Sequence, residues 1–179
     1  CWNGNLGKAL ITKKDCIVDG IDVKKDVLAL AKKSGYRTTQ TINLNNDTYN
    51  LTDLPGKYDV IICADVLEHL IDPARVLTEL KRYLKSDGIL IISLPNVAFA
   101  LNRLLLMLGK WDYTEFGTLD KTHLRFYTVD SVSRMVSGAG YIIRSVRPYN
   151  QFGLLRFIQP LTSLFPRFFA YQIMIIAGK

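Results

Sequence analysis

The sequence predicts an α/β fold, doubly wound around a mostly parallel sheet. Three observations predict it. Apolar runs of strand length recur at 16–22, 60–63 and 89–94. Stretches with helical spacing separate them, and such alternation implies parallel strands joined by right-handed crossovers. Each run is closed by an acid or a turn, at Asp22, Asp65 and Pro95-Asn96. That places polar groups beyond the carboxyl ends of the strands, where open α/β sheets bind ligands.

Taken in order, Cys1-Trp-Asn-Gly-Asn-Leu-Gly7 reads as a turn opening a helix over 6–13. Gly4 and Gly7 let backbone approach a ligand or a neighbouring strand, and the helix N-terminus offers free N–H groups to an anion. The chain begins without Met or a preceding strand, and we read it as a piece of a longer protein, entered inside its first βα turn. Cys16–Asp22 is the next strand and 24–33 a helix, with an apolar face of Val27, Leu28, Leu30 and Ala31 and a stop at Gly35. Asp22 follows Gly4 by 18 residues, near the spacing at which an acid reaches the ribose of a bound nucleotide. Its alternative is to cap the helix that follows.

A Thr-rich third strand is expected over 37–44, then a polar, turn-rich loop over 45–56. Val60–Cys63 reads as a strand buried on both faces. Asp65, Glu68 and His69 then stand at the mouth of the crevice; alternatively, Asp65 caps a turn and the other two are solvated. Asp72-Pro73 starts a helix whose Val76, Leu77, Leu80 and Leu84 face the sheet. Asp87-Gly88 turns the chain into Ile89–Leu94, and Asn96 follows at its carboxyl end, placed to orient a substrate or to finish the turn. Residues 97–108 are apolar nearly all round and 109–127 are aromatic and aperiodic. Thr128 caps a helix ending at Gly140, and two last strands run over 141–146 and 171–177. Between them, 151–170 is rich in Leu, Phe and Pro. We therefore expect one domain spanning 1–179, with inserts at about 97–127 and 151–170.

The 179 residues suit a single core, and the apolar and charged fractions, 49% and 22%, are ordinary. The net charge of +7 is scattered, no nucleic-acid signature accompanies it, and nucleic acid is excluded as a partner. A peripheral lipid contact is the most it suggests. Cys1, Cys16 and Cys63 form no Cys-x-x-Cys pair, which points to a reducing, cytoplasmic setting. With His69 and His123 as the only histidines, no dedicated metal site is expected.

The residues resemble the class I S-adenosylmethionine-dependent methyltransferases. Cys1-x-x-Gly4 with Leu6-Gly7 resembles the family's glycine-rich motif, and Gly20-Ile-Asp22 its acidic second motif. Tyr58-Asp-Val-Ile-Ile with Asp65-Val-Leu-Glu-His69 resembles the fourth motif, and Leu84-Lys-Ser-Asp-Gly-Ile-Leu the fifth. Leu94-Pro-Asn96 and His123-Leu-Arg-Phe-Tyr-Thr128 are similar to a bacterial MetW-like subgroup. The resemblance covers essentially the whole chain. It implies a Rossmann-like, seven-stranded sheet with an antiparallel last strand, the first strand largely missing here. Trp2 departs from the pattern, standing where many members carry a glycine.

The resemblance implies S-adenosylmethionine as cofactor. Gly4 would pass beside its methionine part, Asp22 would bind both ribose hydroxyls, Asp47 and Thr48 would edge the adenine, and Asp65 would line the pocket near the sulfonium. The reaction implied is in-line methyl transfer to a small-molecule or lipid-linked acceptor. His123 and His69 are the candidate bases, since histidine titrates near neutrality. Asn96 and Tyr127 are the candidate substrate contacts, beneath a lid formed by 97–127. The greasy inserts suggest an apolar acceptor, or simply pack on each other. Two rivals remain: a nicotinamide oxidoreductase, disfavoured because its fingerprint would need a glycine at Trp2, and a non-catalytic cofactor-binding partner protein.

Overall fold

The structure is a computed structural model describing residues 4–46, 48–49, 51, 54, 56–150 and 159–179. The chain divides into two compact units, Cys1–Gly56 and Lys57–Lys179. The division falls at the end of the polar, turn-rich segment 45–56, which offers little apolar surface to bury.

In the first unit, α1 (Asn5–Lys14) leads to β1 (Asp19–Asp22), α2 (Lys25–Lys33) and β2 (Thr38–Thr41). The strands are parallel, paired from Asp19↔Thr38 to Asp22↔Thr41, with α2 as the crossover. Buried Asp19 sets this register: its carboxylate accepts from the Arg37 guanidinium and from the Thr38 N–H (3.1 Å) and hydroxyl. Both strands are shorter than expected; β1 starts late because Asp15 ends α1 in a left-handed conformation (φ 53°) and the chain needs several residues to enter the sheet.

Two glycines let α1 pack, for a reason other than ligand approach. Gly4 is left-handed (φ 77°), and a Cβ there would lie 2.9 Å from the Ala31 Cα of α2. At Gly7 a Cβ would collide with the ring of Tyr36, whose hydroxyl accepts the Gly7 N–H at 3.1 Å.

The second unit runs β3 (Tyr58–Ala64), a 3-10 turn (Leu67–His69), α3 (Pro73–Tyr83), β4 (Leu84–Pro95), α4 (Ala100–Met107), α5 (Val129–Gly138), β5 (Ile142–Tyr149), α6 (Gln159–Leu164), α7 (Pro166–Phe169) and β6 (Gln172–Gly178). Its sheet order is β3-β4-β6-β5. β3 and β4 are parallel, and β6 is antiparallel to both neighbours, which is the expected reversal of the last strand. Six strands thus form among the described residues, in sheets of two and four. Asp72 caps α3 by accepting the Arg75 N–H at 3.0 Å, and Thr128 with Ser131 forms a reciprocal capping box on α5. Val76, Leu77 and Leu80 of α3, Leu90 and Ile92 of β4, Val132 and Val136 of α5, and Ile173 and Ile175 of β6 make the core.

β3 departs from the expected two-sided burial. Cys63 is buried, but Val60 and Ile62, pointing the other way, are more than a third exposed. β3 is the edge of its four-stranded sheet and keeps the period-two exposure of a one-sided strand, which a continuous apolar run conceals. Asp87-Gly88 does not turn the chain into its strand as expected: β4 already begins at Leu84, and the jump in pairing from Tyr58↔Leu84 to Val60↔Ile89 makes 85–88 a bulge within it.

Candidate functional site

In the first unit, Asp22 closes β1 half-buried, and its Oδ1 accepts the Lys24 N–H at 3.0 Å. This forms a turn just ahead of α2, whose N-cap is Lys24 and which has no side-chain cap, so the capping alternative is not realised as such. The Lys24 contact does not exclude the ribose role, because a carboxylate has two oxygens and about four acceptor sites. At the start of α1, Gly4 is the N-cap and has no side chain to cap the helix, and no acid lies in the first turn. The Gly7 N–H is taken by the Tyr36 hydroxyl, and the positive end of the helix dipole still favours a carboxylate such as that of a methionine moiety. These features fit an adenosyl amino acid. Thr48 is an exposed turn residue, and Asp47 lies outside the described residues.

In the second unit the site begins where β3 ends. Asp65 adopts the left-handed region (φ 50°), which is uncommon outside glycine and tolerated best by Asp and Asn. Its N–H donates to Ser93 O at 2.9 Å, while its carboxylate accepts from Ser93 Oγ (3.2 Å) and Gln172 Nε2 (3.3 Å). The adjoining strand ends, β4 and β6, therefore hold this exposed acid in place.

The 3-10 turn that follows carries Glu68 inward. Glu68 is 1% exposed, and neither carboxylate oxygen has a hydrogen-bond partner. Burial raises its pKa to about 8; its own backbone N–H acts against this, and the charges of Asp65 and Asp120 add to it. The Glu68 carbonyl accepts two N–H groups, from Leu124 (2.8 Å) and Arg125 (3.0 Å). Arg125 Nε also donates to Ile71 O at 3.0 Å. The segment after the aromatic insert is thereby clamped onto this turn.

The clamp brings His123 against His69, their rings edge to face at 4.9 Å. Nδ1 of His69 donates to Thr122 O at 3.1 Å, which places a proton on Nδ1. His123 Nδ1 is buried and has no hydrogen-bond partner. Burial, then the neighbouring His69 charge, lowers the His123 pKa, so the ring is neutral at pH 7. Phe126 stacks edge-on against His123 at 6.3 Å and against Trp111 at 5.7 Å, which walls the pair with aromatic surface.

Of the two candidate substrate contacts, neither reaches solvent. Asn96 is fully buried; its Nδ2 donates to Ala170 O (2.9 Å) and its Oδ1 accepts the Ala98 N–H (3.1 Å). It finishes the turn, the second of its two expected roles. Tyr127 is buried with its hydroxyl on Met135 Sδ at 3.5 Å. The residue contributes to the lining of an open cavity of about 420 Å³ with Asp72, Leu124, Arg125, Ser131 and Met135, which includes neither histidine.

The expected absence of a metal site rested on counting histidines and cysteines, and it left Glu68 out. The carboxylate and the two imidazoles offer ligand atoms all within 4.8 Å of one another. The available signal was local: Glu68 lies between Leu67 and Leu70, both buried, on a turn too short to rotate it outward.

The inserts also pack as one of their two readings has it. Arg103 of α4 lies over the Phe168 ring at 4.2 Å and donates to Arg167 O at 3.1 Å. Asn102 ties α4 inward, donating to Val97 O (3.0 Å) and to Thr118 Oγ1 (2.8 Å). Much apolar surface still faces outward, notably Met107 (84% exposed) and Phe116 (82%).

Comparison with known proteins places these sites in context. A methyltransferase-domain family matches residues 5–146. A ubiquinone biosynthesis O-methyltransferase of Haemophilus ducreyi is 33% identical over 102 residues, covering 54% of this chain and 43% of that protein. The corresponding enzyme of Aeromonas salmonicida is 27% identical over 156 residues, covering 82% and 62%. The chain thus spans about half the length of these curated relatives. Among solved structures, an S-adenosylmethionine-dependent methyltransferase of Thermotoga maritima superposes with a TM-score of 0.61 at 18% identity, over 97% of this chain and 77% of that one. The family match covers most of the chain, the fold agrees with it, and the chain belongs to the class I S-adenosylmethionine-dependent methyltransferases.

Proposed function

We propose that the protein transfers a methyl group from S-adenosylmethionine to a hydroxyl of a small, largely apolar acceptor. The single observation that carries the reading is the family match over 5–146, which takes in the start of α1, Asp22 and the histidine pair. The relatives named for O-methylation in ubiquinone biosynthesis support a hydroxyl acceptor. Exposed Met107 and Phe116 on the insert support an apolar one, and a peripheral lipid contact is as far as that surface goes. Among the described residues no helix is long and apolar enough to cross a membrane. Free Cys16 and Cys63 support a cytoplasmic setting.

The cofactor supplies an electrophilic methyl on a sulfonium. The positive end of α1 favours its carboxylate, and Asp22 holds the ribose through charge-assisted hydrogen bonds. Asp65, in the second unit, is an acid of the kind that suits a sulfonium. On the acceptor side, His123 is neutral at pH 7 and can take a hydroxyl proton through Nδ1, with His69 packed against it. The Trp111 and Phe126 rings offer apolar surface beside the pair against which such an acceptor can pack.

Calorimetry of the full-length protein with adenosylhomocysteine tests the binding half. We expect saturable heat, weakened at least tenfold by Asp22→Ala. No heat with adenosylhomocysteine, but clear heat with a nicotinamide dinucleotide, would overturn the proposal. Tritiated methyl transfer into a cell extract tests the chemical half, and binding without transfer would leave a cofactor-binding partner protein.

A further inference from the structure

We propose that Glu68, His69 and His123 hold a divalent metal ion. The three side chains come from the turn after β3 and from the segment after the aromatic insert, 54 residues apart in sequence between the two histidines. Their ligand atoms lie within 4.8 Å of one another. Opposed ligands of a six-coordinate ion with bonds of about 2.1 Å stand about 4.2 Å apart, and adjacent ones about 3 Å. Side-chain shifts of well under about 1 Å each therefore close the triad on an ion.

Proximity is the weaker half of the argument. The stronger half is what the side chains lack. Glu68 is 1% exposed with both oxygens unpartnered, and buried His123 Nδ1 is unpartnered as well. Buried polar atoms without partners are rare, and a carboxyl group at this depth with no side-chain donor or counter-charge is costly to bury even when protonated. One cation satisfies all of these atoms together. The surroundings are also those of a ligand shell: the Thr122 carbonyl takes the His69 Nδ1 proton and so fixes the tautomer that coordinates through Nε2.

The donor set selects the ion. Two imidazoles and one carboxylate suit Zn²⁺, Mn²⁺ or Fe²⁺, whereas Mg²⁺ and Ca²⁺ prefer oxygen alone. Three protein ligands leave positions open, as in sites that exchange water for substrate. In the loaded protein His123 Nδ1 serves the ion and does not act as a base. Only that consequence rests on the methyl-transfer reading; the binding itself does not.

The test uses full-length protein stripped with a chelator and dialysed. Mn²⁺ titration followed by paramagnetic resonance should show one bound ion, and Zn²⁺ should displace it. Because exposed Cys16 can capture zinc at the surface, Cys16→Ser serves as the background. Glu68→Gln keeps the shape and removes the charge, and should weaken Mn²⁺ binding at least tenfold. His123→Ala, at a partly exposed position, should do the same and guards against a folding failure of the first variant. Binding of equal strength in His123→Ala, or no bound ion in the parent protein at 1 mM Mn²⁺ or Zn²⁺, overturns the proposal whether or not methyl transfer is observed.

Discussion

Replacing Gly7 with alanine sets two well-calibrated effects against each other. Helix propensity favours the change, because alanine in a helix interior is better than glycine by about 1 kcal/mol. Packing opposes it. A Cβ at Gly7 would sit within the van der Waals envelope of Tyr36 Cζ, Oη and Cε2, and Tyr36 is a stiff, buried ring that cannot swing away freely. Overpacking of this kind costs about 1–3 kcal/mol. Displacing the ring also breaks the Gly7 N–H to Tyr36 hydroxyl bond, worth about 1 kcal/mol. The net expectation is a loss of about 1–3 kcal/mol, read from urea denaturation. A double-mutant cycle supplies the control: in a Tyr36→Ala background, Gly7→Ala should become stabilising by about 1 kcal/mol. If Gly7→Ala stabilises the parent protein, the collision drives nothing and the account of α1 packing fails. Because α1 carries the positive helix end assigned to the cofactor carboxylate, the destabilised variant should also bind adenosylhomocysteine more weakly.

Two further outcomes follow from buried titrating groups. Burial raises Tyr127 to about 12, so its neutral form is favoured by the fold; the resulting stability is complete below about pH 10 and is lost as pH rises toward 12. Two units correspond to about 2–3 kcal/mol, and Tyr127→Phe should flatten the alkaline loss of stability in denaturation between pH 9 and 12 by that order; an unchanged slope refutes it. Burial, then the Glu68 charge, pushes the Cys63 thiol up to about 12, while Cys16 is exposed. Iodoacetamide at pH 8 followed by peptide mapping should therefore modify Cys16 and leave Cys63 intact until the protein unfolds, and equal labelling of the two would contradict the burial of β3's inner face.

What the sequence made legible was whatever local chemistry decides. The N-caps Asp72 and Thr128 and the left-handed Gly35 and Gly140 bound their helices where expected, because caps and stops act over three or four residues. The antiparallel β6 and the strand positions followed from apolar runs and family resemblance together. Sidedness was illegible: nothing in Val60–Cys63 says which residues will be covered, since that depends on the strand's place in the sheet. Which of its two expected roles Asn96 takes was illegible for a related reason. Its side chain is consumed by Ala170, 74 residues away, and a distant carbonyl leaves no mark beside an asparagine. The pairing of His69 with His123 was hidden in the same way, although each histidine was singled out alone.

The burial of Glu68 has a local cause, and that cause explains why the histidines meet. Left-handed Asp65 breaks the course of β3 abruptly, and the next residues form a 3-10 turn in place of an α-helix. In such a turn residues three apart eclipse one another, so Leu67 and Leu70 fall on the same side, and both are buried. Glu68, held between them, has no outward path, while His69 lies at the rim. The backbone of the same residue then receives Leu124 and Arg125, which fixes His123 against His69. The strain at Asp65 is offset by its bonds to Ser93 and Gln172, groups on two strands that cannot move independently of the sheet. A carboxylate forced inside by its own turn, facing two imidazoles brought there by that turn's carbonyl, is an arrangement that hydrophobic packing alone would disfavour. Its persistence is accounted for by a ligand that all three side chains share.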